Sequence, residues 1–542
     1  MQLIIAEKPS VAQDIVAAMT PQFGNFQRMQ GQWEGNGILV THAIGHLVEI
    51  DSERIALPGA RLPILPVFAF KPIDRTRGQF KIVKDLLLRN DVTHIINACD
   101  AGREGELIFR LILQAAGLQR PGKVMQRMWL QSMTADAIRQ SYAAMRSDAD
   151  MQPLCAAAYS RMEADWLVGI NASRALSQLG SSNMSAGRVQ TPTLALIVRR
   201  DQEIRTFKPT DYFEIHAKFA VQSGIYIGKF QNPAPAKGVP ADRLPDRATA
   251  QAIVNQCTGH HPSSVTEEAK PAQQVAPKLF DLTTLQREAN KRFGLSANDT
   301  LALVQSLYEK HKALTYPRTS ASTLPDDYGP TVVSVMQALA KSRVFSTHAD
   351  RVLQSNWIQP GDKRIFDSSK VSDHFAIIPT GVLPRDLTQA EADVFELVTR
   401  RFIAAFHPPA RFTDTVRITV VQQARFKSTG RVLVSAGWRE VYGAGTNLEE
   451  DDDGDAQAEQ QVSLCAYVPG ERALNQGSTV VALQTKPPKH YTEATLLGAM
   501  EHAGRLVEEE HLADAMKEHG LGTPATRASI IERLLAAPRD RK

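Results

Sequence analysis

Two parts of this 542-residue chain carry side chains that could do chemistry together. The first is acidic: Glu7 follows the apolar run 2–5, and Asp100, Glu104 and Glu106 follow the apolar run 93–98. Mg²⁺ takes oxygen ligands, usually one or two carboxylates with water and phosphate, and acids at neighbouring strand ends can converge on one ion. Singly, each of these acids reads as well as a surface residue. The joint pattern, strand–Glu–Lys and strand–Asp-x-x-x-Glu-Gly, is what points to a metal site. The second part is LTYPRTS at 314–320. A phenol titrates near pH 10, so Tyr316 needs help to act as a nucleophile. Pro317 stiffens the backbone after it, and Arg318 supplies a fixed charge able to hold a phosphate. In isolation the same residues fit a core tyrosine beside a surface arginine.

These residues need elements to position them. Residues 2–5 read as a short buried strand, and Pro9 and Ser10 open a helix with Val11, Ile15, Val16 and Met19 at helical spacing. Glu7 and Lys8 therefore sit on the turn between. Residues 93–98 read as a second strand, with a helix from about Glu104, so Asp100 also lies at a strand's carboxyl end, where open α/β sheets bind ligands. The first ~140 residues read as one α/β domain of ordinary size. Residues 150–210 read as helical, with Trp166, Leu167 and Ile170 as core. Residues 211–232 and 412–440 alternate apolar and polar residues, as strands of one β element interrupted by an inserted helical domain. The stretch 232–280 reads as loop and linker, and 281–310 as helices, with Gly294 as a stop and Ser296 as the next N-cap. Residues 447–460 hold seven acids and read as a solvated flexible loop.

Composition sets outer bounds. The net charge of +4 and pI near 8.7 permit a nucleic-acid partner without demanding one. The four cysteines are scattered and form no CxxC pair, which argues against a zinc ribbon or a disulfide framework and for reduced thiols. No apolar run reaches the ~18–20 residues of a membrane span, and the start MQLIIAEKPS lacks the pattern of a signal peptide, so a soluble cytoplasmic protein is expected. No G-x-x-x-x-G-K-[ST] phosphate loop is present, which argues against an ATP-driven enzyme.

Ten motifs in one order widen the reading: IAEKPSVA (5–12), AIGHL (43–47), DAGREGE (100–106), ADWLVGINASRA (164–175), SAGRVQTPTLALIVRRDQEI (185–204), KRFGLSA (291–297), LTYPRT (314–319), SDHFAIIPT (372–380), YTEATLL (491–497) and GLGTPATRA (520–528). With them the chain resembles the type IA DNA topoisomerases along nearly its whole length. The AEKPS start, the DAGREGE form and the absence of cysteine zinc motifs resemble topoisomerase III. The resemblance implies a multidomain α/β and α+β chain forming a four-domain torus, with a Toprim α/β domain at about 1–145. It implies a helical single-strand groove domain at 150–210 and 445–542, a β-rich arch at 211–275 and 405–444, and an inserted helical domain at 276–404 carrying the tyrosine.

Carried over residue by residue, Tyr316 matches the nucleophile that keeps the 5′ end as a phosphotyrosine. Arg318 resembles the arginine that stabilises the phosphate, and Lys8 the lysine that helps protonate the leaving 3′ oxygen, with Glu7 beside it. Glu7, Asp100 and Glu104 match the Mg²⁺-binding acids, and His374 a relay histidine paired with Asp100. Arg161, Asp165, Ser185, Arg188 and Gln190 lie in stretches resembling the single-strand groove; Asp165 would otherwise make a simple i,i+4 pair with Arg161. The implied activity is ATP-independent relaxation of negative supercoils and decatenation. Its partners would be single-stranded DNA, supercoiled or catenated duplexes, and a helicase or single-strand-binding protein; the enzyme would be monomeric, without membrane contact, in the cytoplasm at the nucleoid.

Three departures stand out. Many members have Asp-x-Asp-x-Glu where this chain has Gly102; Ser320 stands where many carry Asp; and the family continues beyond the position of Lys542, so a shortened groove domain is expected. Two rivals remain: another Toprim enzyme, a primase or nuclease that needs no nucleophilic tyrosine, and a catalytically weak single-strand DNA-binding relative.

Overall fold

The computed structural model describes residues 1–56, 59, 61–118, 122–180, 183–443, 464–506, 516 and 520–536. The acidic stretch 447–460 lies outside them. The chain divides into two compact units. The first comprises residues 1–195, 278–402 and 496–542; the second comprises 196–277 and 403–495.

The first unit opens on a seven-stranded sheet. Its strands come from β1 (Gln2–Ala6), β2 (Gln27–Met29), β3 (Gln32–Gly35), β4 (Ile38–His42), β7 (His94–Ala98), β8 (Val124–Arg127) and β9 (Arg146–Ser147), in the order β2-β3-β4-β1-β7-β8-β9. A separate two-stranded sheet pairs β5 (Val48–Ile50) with β6 (Phe70–Pro72). The strand β1 is the centre, parallel to β4 and β7 on either side. Because side chains alternate along a strand, Leu3 and Ile5 join the core on one face while Ile4 and Ala6 join the core on the other. The helices α1 (Pro9–Phe23), α2 (Ser52–Ile55), α3 (Arg77–Leu87), α4 (Arg103–Ala116) and α5 (Ala135–Ala143) follow in chain order. Of these, α3 and α4 fill the first core and α1 and α5 the second. A central strand covered on both faces explains why QLIIA and HIINA are apolar nearly throughout.

The helix α6 (Asp148–Leu179) follows, opened by a capping box of Ser147 and Asp150. Only Met151 and Ala158 are fully buried along it. The expected core residues Trp166, Leu167 and Ile170 are half-buried instead. Trp166 donates its indole N–H to Ser52 Oγ at 2.9 Å and meets the Phe68 ring edge-on, so it packs against a loop rather than inside a bundle. The helical reading of 150–210 is broken at 183–189, after which α7 spans Gln190–Thr206. In the inserted part, helices Leu282–Phe293 and Ala297–Glu309 meet at Gly294 (φ 67°) and the Ser296 N-cap, at the two residues named from the sequence.

The second unit is an antiparallel six-stranded sheet. It comprises β10 (Asp211–Val221), β11 (Gly224–Phe230), β12 (Ser264–Gln274), β13 (Ala410–Val421), β14 (Ala424–Ser435) and β15 (Leu474–Gln484), ordered β12-β13-β14-β11-β10-β15. Two stretches differ from the sequence reading. The presumed linker 232–280 contains the helix α8 (Arg247–Cys257), whose Ala250, Val254 and Cys257 pack on Phe219 and Phe426. It also contains β12, a mostly exposed edge strand that tolerates Pro271 because it pairs on one side only. Its polar composition masked it. Likewise β15, from the stretch expected to return to the helical domain, joins this sheet beside β10.

The C-terminal motif docks inside the first unit. Arg527 is almost fully buried, donating to Thr283 Oγ1 at 2.8 Å and to the Leu521 carbonyl at 3.1 Å. Nearby Asp281 caps the helix Leu282–Phe293 by accepting from the Thr284 amide at 2.8 Å. Burial, and next the charge of Glu501, push the Asp281 carboxyl up from 3.8 to about 6. The folded state therefore holds this proton more tightly than the unfolded one, so the group costs stability as pH rises through that window and adds no further cost above it. Asp281→Asn keeps the capping acceptor and removes the charge. Relative to the native chain it is expected to be near neutral at pH 4 and stabilising by up to about 3 kcal/mol at pH 7, as read by urea unfolding at the two pH values.

Candidate active site

The end of β1 delivers Glu7 and Lys8, and the end of β7 delivers Asp100. Glu7 is 6% exposed and accepts the Asp100 amide at 3.1 Å. Lys8 stands at the N-cap position of α1 in extended conformation, with Pro9 opening the helix behind it. Its Nζ lies 2.7 Å from Asp100 Oδ2 and 3.7 Å from Glu7 Oε1. The same Asp100 oxygen is 2.8 Å from His374 Nε2, from a segment 274 positions along the chain. Tyr316 completes the group. The Lys8 ammonium sits 3.7 Å from the centre of its ring, the His374 ring 4.4 Å away, and Tyr308 meets it edge-on at 5.4 Å.

Buried polar groups hold the Asp100 turn. Arg127, 1% exposed, donates to the Asn97 side chain at 2.7 Å, to the Cys99 carbonyl at 2.9 Å and to the Asp100 carbonyl at 2.5 Å. Glu106, read from sequence as a turn acid, is instead buried inside α4. It accepts from Asn97 at 3.0 Å and from Arg110 at 2.7 Å, so it anchors the turn and faces no ligand. The start of α4 presses on the same turn: a Cβ at Gly105 would lie 2.2 Å from the Asp100 carbonyl oxygen. Only a hydrogen fits there.

Two threonines lace Tyr316 to the segment carrying His374. Thr315 donates its amide to the Ile378 carbonyl at 2.9 Å and its hydroxyl to the Ala376 carbonyl at 3.1 Å. Thr319 donates its hydroxyl to the His374 carbonyl at 2.7 Å. LTYPRT and SDHFAIIPT are thus one structural device, and Thr315 and Thr319 are positioning residues that the sequence reading left without a role. The departure at Ser320 leaves a hydroxyl 3.5 Å from that of Ser372. Arg318 is exposed, and no described acid pairs with it.

The charges are uneven. Burial, then the adjacent Asp100 carboxylate, push Glu7 up to about 8, so near neutral pH it holds a proton. Burial opposes the charge of Lys8, but Asp100 and Glu7 outweigh it and hold Lys8 above the ordinary lysine range. Burial likewise opposes ionisation of Asp100, and His374 and Lys8 overcome it, keeping Asp100 well below the carboxylate range. Burial raises Tyr316, partly offset by Lys8 and Arg318. Asp373 is raised by burial, with His374 and Arg127 pulling it down and Asp100 and Glu104 pushing it up. Glu104, the third expected metal ligand, accepts a short 2.5 Å bond from His46 of the AIGHL motif. That bond lowers it, and Arg161 assists.

Among the described residues, no group of three His, Cys, Asp or Glu side chains lies where it could hold a metal ion. The donors nonetheless suit Mg²⁺, which takes one or two carboxylates and completes its shell with water and phosphate. The expected groove residues lie along α6, in the loop 183–189 and at the start of α7. Arg188 pairs with Asp165 at 2.7 Å, displacing the simple Arg161–Asp165 pair, and Gln190 donates to Ser185 at 3.2 Å. Ser173 and Ser177, one turn apart on α6, fix the loop through Ala186 and Met184. No described helix is long and apolar enough to cross a membrane.

Comparison with known proteins places this geometry. The Toprim domain family matches residues 2–129, and the family described as DNA topoisomerase matches residues 149–537. The DNA topoisomerase 3 of Bacillus licheniformis is 35% identical over 552 residues, covering 98% of this chain and 72% of that protein. The DNA topoisomerase 3 of Bacillus subtilis is 36% identical over 553 residues, again covering 98% and 72%. The chain belongs to the type IA DNA topoisomerase family. The fold agrees: full-length topoisomerase I from Thermotoga maritima superposes with a TM-score of 0.64 over 98% of this chain and 78% of that one, at 22% identity. As a type IA topoisomerase the chain is an isomerase of DNA topology, and the rival reading as a primase or nuclease falls away. In this topoisomerase, Gly105→Ala is expected to push the Asp100 turn out of place. Strand cleavage should fall by about 100-fold while circular dichroism and the melting profile stay near those of the native chain.

Proposed function

We propose that this enzyme cleaves single-stranded DNA by transesterification, with Tyr316 as nucleophile, passes another strand through the break and reseals it without ATP. The observation that carries this is the convergence of the Tyr316 ring, Lys8, His374 and Asp100 at one point. The Tyr316 hydroxyl gives up its proton to solvent as its oxygen attacks phosphorus, the 5′ end stays on the tyrosine, and the 3′ oxygen leaves. Glu7, neutral near pH 7, has a proton to give that oxygen. Lys8, whose proton is held more tightly, serves as a fixed positive charge beside the phosphate. His374 and Asp100 orient each other across the two parts of the chain, and exposed Arg318 grips the phosphate. Mg²⁺, held by Asp100 and Glu104 with the DNA phosphate among its ligands, would neutralise backbone charge and hold the strand in place. Reversal by the free 3′ hydroxyl restores the backbone because the phosphotyrosine ester stores the bond's energy.

Arg161, Asp165, Ser185, Arg188 and Gln190 are the groove that holds the uncleaved side of the strand; Arg188 trades Asp165 for a phosphate when DNA arrives. The chain reads as four parts: Toprim (about 1–145), groove domain (150–210 and the C-terminal stretch), arch (211–275 and 405–444, joined by 474–484) and insert (276–404). The insert moves away from Toprim to open the gate. The substrates are negatively supercoiled and catenated DNA in the bacterial cytoplasm, with a helicase or single-strand-binding protein supplying unpaired strand. The stretch 232–246, where a decatenation loop would fall, holds only Lys237 and Arg243 as basic residues, so relaxation should exceed decatenation.

The test uses a 3′-end-labelled single-stranded oligonucleotide, Mg²⁺ and a denaturing gel. The native chain should carry label covalently, and Tyr316→Phe should lose both the adduct and cleavage. Cleavage that persists without any adduct would sink the proposal.

A further inference from the structure

Two neighbours of the Tyr316 ring, Lys8 and His374, take part in the reaction proposed above; a further one, Tyr308, has no part in it. Tyr308 stands in the last turn of the helix Ala297–Glu309. Its ring meets that of Tyr316 edge to face, with centres 5.4 Å apart and planes at 77°. Its hydroxyl lies 3.3 Å from the hydroxyl of Ser10, in the first turn of α1 just past Lys8. Tyr308 therefore touches both Tyr316, within the insert, and the Toprim helix that Lys8 precedes.

The backbones of the two tyrosines are fixed to each other. Val304 and Leu307 anchor the helix by burial. Beyond it the chain turns back, and the Ala313 amide donates to the Leu307 carbonyl at 2.8 Å. The Thr380 hydroxyl donates to the Lys312 carbonyl at 2.6 Å and holds the same return. Leu314 is buried, and the Thr315 amide is bonded to the Ile378 carbonyl. A held backbone does not by itself place a phenol oxygen, because the ring still turns about its side-chain bonds, and the outer of these is soft. The neighbours of the ring decide where the oxygen points, and a misplacement of about 1 Å can slow a reaction ~100-fold.

We propose that Tyr308 is a positioning residue for strand cleavage: its ring limits the swing of the Tyr316 ring, and its hydroxyl, through Ser10, ties that limit to the insert being seated on the Toprim turn. This rests on the reading of Tyr316 as the nucleophile. Tyr308 brings no charge to the site and reaches no reacting atom. It acts through the ring it touches. Once the insert leaves the Toprim turn, the Tyr308 hydroxyl loses Ser10, and the aim of the Tyr316 oxygen loosens with it.

The test is single-turnover adduct formation by the full chain on a 3′-end-labelled single-stranded oligonucleotide with Mg²⁺. Enzyme concentration is varied, so that the maximal rate and the half-saturating concentration are read separately. Tyr308→Leu is expected to lower the maximal rate by about 30-fold or more, with half-saturation within about two-fold of the native value. Tyr308→Phe keeps the ring and should bring the rate back to within about five-fold of native. Ser10→Ala should match Tyr308→Phe. The two together should be no slower than either alone by more than about two-fold, because both remove one contact. A maximal rate in Tyr308→Leu within about five-fold of native overturns the proposal, as does a loss confined to half-saturation. If Tyr308→Leu does not fold by circular dichroism, the Ser10 and Tyr308→Phe pair decides alone, and effects that multiply in the double variant overturn the coupling. An adduct from the native chain with an unaltered rate in Tyr308→Leu removes only the role of Tyr308, whereas no adduct from the native chain removes the reading of Tyr316 beneath it.

Discussion

One oxygen atom, Oδ2 of Asp100, accepts from Lys8 and from His374 at once, at 2.7 and 2.8 Å. Lys8 belongs to the turn after β1, Asp100 to the turn after β7, and His374 to the inserted part. A carboxylate held by two such donors stays ionised despite burial. Burial first, and the charge of Asp100 second, keep Glu7 neutral, and the same charge together with Glu7 holds Lys8 above the ordinary lysine range. The phenol ring of Tyr316 rests on this arrangement, between the ammonium and the imidazole.

The rest of the first unit can be understood as support for that atom. β1 and β7 are adjacent and parallel, so their carboxyl ends lie side by side. Arg127 and Glu106, both about 1% exposed, spend their hydrogen bonds on the turn beneath Asp100. Gly105 lets the first turn of α4 close on the Asp100 carbonyl. On the other side, Thr315 and Thr319 fix the segment of Tyr316 to the segment of His374. Charged groups that are buried without partners are costly, and here most of the buried charge is spent on geometry.

Much of this was legible in the sequence. Apolar strands followed at once by Glu-Lys or Asp-x-x-x-Glu place acids at strand ends by geometry alone, and Gly294 and Ser296 mark a helix junction by backbone chemistry. The helix α8 and the strand β12 were hidden because an edge strand facing solvent has no apolar alternation to read. Trp166 was misread as core because a ring beside a loop and a ring in a bundle look the same in a helical pattern. Glu106 was taken for a turn acid because its partners, Asn97, Arg110 and Arg127, are brought together only by folding. The closeness of Gly102 and Asp373, whose carboxylate lies where a Cβ on residue 102 would fall, was invisible for the same reason: 271 positions separate them.

Among the described residues, several contacts between the Toprim part and the insert are polar. Beyond the Asp100 group, Ser10 meets the Tyr308 hydroxyl at 3.3 Å, and one oxygen of Asp327 accepts from Ser132 at 3.0 Å and from Thr134 at 2.8 Å. The hydrophobic clusters around the Toprim sheet include no residue of the insert. Parting the two at these contacts wets hydroxyls and charges, and exposure of such polar groups adds no positive heat-capacity increment. A separation of that kind has a nearly constant enthalpy, so the balance of closed and parted forms would follow a straight van't Hoff line as temperature changes.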